Sequence, residues 1–177
     1  MQSSWVLGVA LLGGTLGWAG EVNVYIQNSV IAPAPVLVRA EWMAAGMFAG
    51  VGVHVRFRTG APHQPATGGQ AIEIRLDSRE PADREPWVLA YASPFERAGT
   101  RVHIFYSRVS SIRGGSMTAI VLSHVLAHEI THVLERVNRH SSSGVLKARW
   151  DEDDFAAMAA HPLRFAPEDV GLLGQAR

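Results

Sequence analysis

The chain has 177 residues, enough for one domain that buries a real hydrophobic core. Hydrophobic residues make up 47% and charged residues 18%, with 16 basic against 16 acidic side chains, so no charge excess argues for nucleic acid or an anionic membrane surface as partner. Cysteine is absent, which excludes disulfides and thiolate chemistry and leaves His, Asp and Glu to hold any metal.

Residues 5–18 carry no charge, and 6–17 are apolar and small. The stretch is short for a membrane span and suits the core of an export signal, with Gly17-Trp18-Ala19 supplying small residues ahead of a cleavage point. Residues 1–4 lack the usual Lys or Arg. The expectation is a signal peptide over 1–19, a single domain over 20–177, export to the periplasm or exterior, and no stable membrane span once the leader is removed.

After the leader, 22–27 alternate apolar and polar residues as a half-buried strand does. Pro33 and Pro35 break that pattern, and Pro35 suits the start of a helix over 36–49 that ends at Gly50. Its Trp42, Met43 and Met47 read as packing residues. Residues 53–58 alternate again, 59–69 have loop composition, and 71–76 form a third strand. A polar loop over 77–86 leads to 87–93, a short strand bounded by Trp87 and Ser93 and flanked by Pro86 and Pro94, which is how an edge strand looks. Residues 101–106 alternate as a fifth strand. The segment 110–115 leads into a long helix, 138–144 form a turn bent at Gly144, and Pro167, Glu168 and Asp169 open a short last helix. This order predicts an α+β domain, a mixed and mostly parallel five-stranded sheet packed against helices.

The long helix carries the chemistry. Residues 116–135 contain no Pro or Gly and repeat apolar residues at spacings of three and four. Within them, His128-Glu129-Ile130-Thr131-His132 reads H-E-x-x-H. Positions i and i+4 stack one turn apart on one helix face, so His128 and His132 can direct two imidazole nitrogens at one metal ion. Glu129 lies beside them, close enough to act as the base on a metal-activated water. A catalytic zinc needs a third protein ligand, and His140 is the first choice. The helix must end and the chain turn back to deliver it, with Asn138 expected in the left-handed turn conformation because no Gly lies between His132 and His140. The alternative is a carboxylate from the acidic run Asp151, Glu152, Asp153 and Asp154. His124, one turn before His128, either lines the cleft or is a partly exposed helix histidine. His63, His103 and His161 are given no role.

With these residues in place, the sequence resembles the zincin metallopeptidases, and within them the metzincin or matrixin-like branch. The resemblance spans roughly residues 22–177, but only His128-Glu129-Ile130-Thr131-His132 is specific. It implies a zinc-dependent endopeptidase in which His128, His132 and His140 hold Zn²⁺ and Glu129 moves the proton. It further implies a peptide substrate paired along the edge strand at 87–93, with Tyr91, Tyr106 and His124 open as oxyanion partners. Metzincins continue H-x-x-G-x-x-H, whereas Glu135 stands at the glycine here and the third histidine comes two residues later. That spacing is similar to a bacterial variant, H-E-x-x-H-x7-H-S-x-x-G-I-M, in which a Met supports the metal site from below. Leu146 stands where that Met would be, and Arg136 where the variant has a glycine. These departures leave a second expectation open, a zincin-fold peptide-binding or structural zinc module with little turnover.

Overall fold

The computed structural model describes residues 21–60, 71–78, 85, 87–93, 100–136 and 138–175. The expected signal peptide and most of the loops at 59–69 and 77–86 lie outside these residues.

Five strands, β1 (Val22–Asn28), β2 (Val55–Thr59), β3 (Ala71–Asp77), β4 (Ala90–Ser93) and β5 (Thr100–Phe105), form one sheet in the order β2-β1-β3-β5-β4. β1 is parallel to β2 and β3, and β3 to β5, while β4 runs antiparallel at the edge. The mixed sheet with an antiparallel edge strand is the architecture that the alternating segments imply. Register places Val24, Ile72 and Ile26, Ile74 side by side, with Val102 beyond Ile74. This row, with Leu76 and Ile104, is wholly buried. On the opposite face Gln27 and Arg101 both donate to Glu73, and His103 Nδ1 pairs with Asp77 Oδ2.

Two long helices cover the apolar face. Helix α1 (Ala34–Ala49) starts from Pro33 and Pro35, whose fixed φ and missing N–H suit a first turn. Ala40, Ala44, Met47 and Phe48 face inward from α1. Helix α3 (Met117–Glu135) is buried along almost its whole length, so its apolar run belongs to the core and not to a lipid span. Its Ala127 and the branched residues Val121, Ile130 and Val133 share one cluster with α1 and the sheet.

Two helices have no counterpart among the expected elements. Helix α2 (Tyr106–Arg113) takes in residues assigned to the fifth strand and to the lead-in. Ser110 and Ser111 fold their hydroxyls onto the carbonyls of Ser107 and Arg108, and the buried Arg108 donates to the Glu85 and Val88 carbonyls at 2.7 and 2.8 Å. Tertiary anchoring thus overrides weak helix propensity. Helix α4 (Glu152–Ala160) begins with a reciprocal cap: Asp151 accepts from the Asp154 N–H, and Asp154 accepts from the Asp151 N–H. The short last helix is α5 (Pro167–Gln175).

Candidate metal centre

The buried turn of α3 presents His128 and His132 on one face, with their Nε2 atoms 3.0 Å apart. Beyond Glu135 the helix stops at Arg136, which takes a left-handed conformation at φ 54° and ψ 30°. The bend does not fall on Asn138, where the sequence places the expectation. The reversal comes two residues earlier, directly after the last helical residue, and Arg136 bears the steric cost of its Cβ there. The chain returns His140 to the same place. One ligand atom from each of His128, His132 and His140 lies within 4.8 Å of the others, and among the described residues this is the one such cluster of His, Asp and Glu. Exposure rises from the buried His132 through His128 to the exposed His140, so the cluster opens to solvent on the His140 side.

The donor chemistry fits a metal ion. His128 Nδ1–H donates to the Val145 carbonyl at 2.8 Å, which leaves the Nε2 lone pair free for coordination. Burial and the neighbouring His132 push His128 down to about 3, and burial lowers His140, so both are neutral donors at neutral pH. Glu129 is buried, and burial pushes its carboxyl up to about 8.

The turn that supplies Val145 is held from several sides. Gly144 has φ 75° and sits against the Arg164 carbonyl, which accepts from the Val145 N–H at 3.0 Å. The Leu146 carbonyl accepts from the Ser141 N–H at 2.9 Å, and the Leu146 side chain is fully buried. Trp150 donates from Nε1 to the Gly144 carbonyl and meets His128 and His124 edge-on, with centroids 5.7 and 6.1 Å away. Trp150 has no sequence signature that marks it as a neighbour of the histidines.

Three of the four alternative ligands are otherwise employed. Asp151 and Asp154 cap α4 and pair with Lys147, which holds Asp151 down to about 2, and Glu152 pairs with Arg113. Of the oxyanion candidates, Tyr91 stacks on His103 at 4.9 Å on the sheet face away from α3, and Tyr106 opens α2 at the margin of the core.

His124 neither lines the cleft nor reaches solvent. It is fully buried, its Nδ1–H donates to the Ile120 carbonyl at 2.8 Å, and its Nε2 accepts from the Leu163 N–H at 2.9 Å, pinning the C-terminal segment to α3. Burial lowers its pKa from 6.5. Below pH 6.5 the unfolded chain takes up a proton that the native chain refuses, so native stability falls as pH drops through that value. In urea unfolding at a series of pH values, His124→Gln should lack this component. A constant gap in stability between parent and variant from pH 7.5 to about 5 would refute it.

Neither a family model nor a curated protein matches the sequence. Among solved structures, the fold is similar to the crystal structure of archaemetzincin from Methanopyrus kandleri, with a TM-score of 0.56 and 10% identity over 91% of this chain and 97% of that one. The chain therefore has the α+β fold of archaemetzincin, with a histidine triad that could hold a metal ion where its buried helix ends and the chain turns back.

Proposed function

We propose that the chain is a zinc-dependent endopeptidase of the metzincin or matrixin-like type, acting outside the cytoplasm. The observation that carries this reading is the convergence of His128, His132 and His140, with Glu129 next to His128 on the same buried helix. A purely structural site has no use for that glutamate. Three imidazole nitrogens and an open solvent side suit Zn²⁺. When bound, zinc supplies Lewis acidity that acidifies water and polarises a peptide carbonyl. Glu129, buried beside His128 on the same helix, takes the proton from the attacking water and hands it to the leaving amine. The antiparallel edge strand β4 offers its outer side to an extended peptide, which would add a strand to the sheet. The uncharged stretch at 5–18 supports export.

The second reading, a peptide-binding zinc module with little turnover, draws on Leu146 and Glu135 at the positions of the usual Met and Gly. A peptide-library screen of the zinc-loaded chain separates the two. Cleavage that stops with chelation supports the peptidase, and binding without cleavage supports the module. His140→Ala should weaken zinc binding about 10²-fold or more, measured by competition with a chromophoric chelator. Unchanged affinity would remove His140 from the ligand set.

A further inference from the structure

We propose that Arg139, gripped between Glu135 and Asp169, is a positioning residue that fixes His140 opposite His128 and His132. The inference rests on the reading of the three histidines as a metal site.

His140 reaches the site on irregular backbone after a chain reversal and is the exposed member of the triad. A ligand so placed is preorganised only if its flanking residues are fixed. Both are. Arg139 Nη2 donates to Asp169 Oδ1 at 2.8 Å and to Glu135 Oε2 at 3.1 Å, and Nη1 donates to Ser141 Oγ at 3.0 Å. Ser141 Oγ in turn donates to Asp169 Oδ1 at 2.6 Å, and Asp169 Oδ2 accepts from the Ala166 N–H at 3.2 Å. The residues on either side of His140 are thereby tied to the last turn of α3 and the first turn of α5. Arg139 offers a planar fork whose Nη2 reaches both carboxylates while Nη1 holds Ser141 Oγ, a combination that a lysine would not reproduce in full.

The arrangement is expensive. The Glu135 and Asp169 side chains are entirely buried, and Glu135 Oε1 has no hydrogen-bond partner among the described residues. Buried ion pairs add little net stability and are better explained by the conformation they select. Here the selected conformation is that of the segment bearing His140. The division of labour also explains the departure at 135: Arg136 makes the bend that a glycine would make, so position 135 is free to carry a carboxylate that grips Arg139. Neither Glu135 nor Asp169 belongs to the cluster of ligand atoms, so neither would hold the metal itself.

The test uses the full chain with zinc, and with Co²⁺ as a spectroscopic probe of coordination. Arg139→Gln should lower zinc affinity about 10- to 100-fold and move the Co²⁺ spectrum towards that of His140→Ala, with Arg139→Lys recovering part of the loss. On the His140→Ala background Arg139→Gln should add no further loss of affinity, which a general destabilisation would not reproduce. Glu135→Gln, nearly isosteric, serves the same comparison if Arg139→Gln does not fold. Zinc affinity within twofold of the parent in a folded variant, or additive losses in the double variant, would overturn the inference and leave the metal site standing. A parent chain that binds neither ion would instead overturn the metal reading itself.

Discussion

Glu129→Gln is expected to keep its zinc and lose peptide hydrolysis by about 10²- to 10⁴-fold, the usual contribution of a general base. Glutamine matches the carboxylate in shape, and the ligand atoms come from the three histidines, so nothing that holds the ion is removed. What disappears is the group that takes the proton of the attacking water and returns it to the amine. The change should fall on kcat with little effect on KM, because the lost interaction belongs to the transition state. Zinc stoichiometry and peptide turnover on the same preparation check it. Undiminished turnover with zinc in place would end the assignment of Glu129 as base.

The largest expected effect on stability belongs to Gly144→Ala. Gly144 has φ 75°, and a Cβ there would press into the Arg164 carbonyl oxygen, a backbone atom that already accepts from the Val145 N–H. The left-handed conformation costs an L-residue about 1–2 kcal/mol and overpacking about 1–3 more, so urea unfolding should show a loss of about 2–5 kcal/mol. Gly171 in α5 has open space around its Cα, and Gly171→Ala should stabilise by up to about 1 kcal/mol. The contrast separates a required glycine from an incidental one. Displacing the 144–146 turn also withdraws the Val145 carbonyl from His128 Nδ1, so Gly144→Ala should weaken zinc binding as well. A variant as stable as the parent would mean that the turn relaxes freely and does not brace the site.

The sequence was most legible where burial imposes a period. Val22, Val24 and Ile26 against Asn23, Tyr25 and Gln27 announce a strand with one wet face, and the unbroken run in 117–134 announces a core helix. Helix α2 was illegible because its anchors are distant: Arg108 closes on carbonyls some twenty residues upstream, and no local pattern shows that. Helix α4 was legible in principle, since Asp151 and Asp154 have capping-box spacing, but four acids in sequence read first as a solvated face. The same limits apply to the site. His128 and His132 reveal themselves by spacing on one helix, whereas His140 depends on where the helix breaks. Asn has the better intrinsic left-handed propensity, yet the reversal falls on Arg136 because α3 ends there. The buried roles of His124, Trp150 and Asp169 arise from contacts across 22 to 39 residues, beyond the reach of any periodicity.

The metal content of the purified full chain, by elemental analysis before and after chelation, bears most directly on the three histidines. One zinc per chain is expected, lost to a chelator, restored on adding zinc back, and absent from the His128→Ala/His132→Ala variant. A native chain that takes up no zinc even when incubated with it, or a double variant that keeps its zinc, would contradict the assignment of a metal site to His128, His132 and His140.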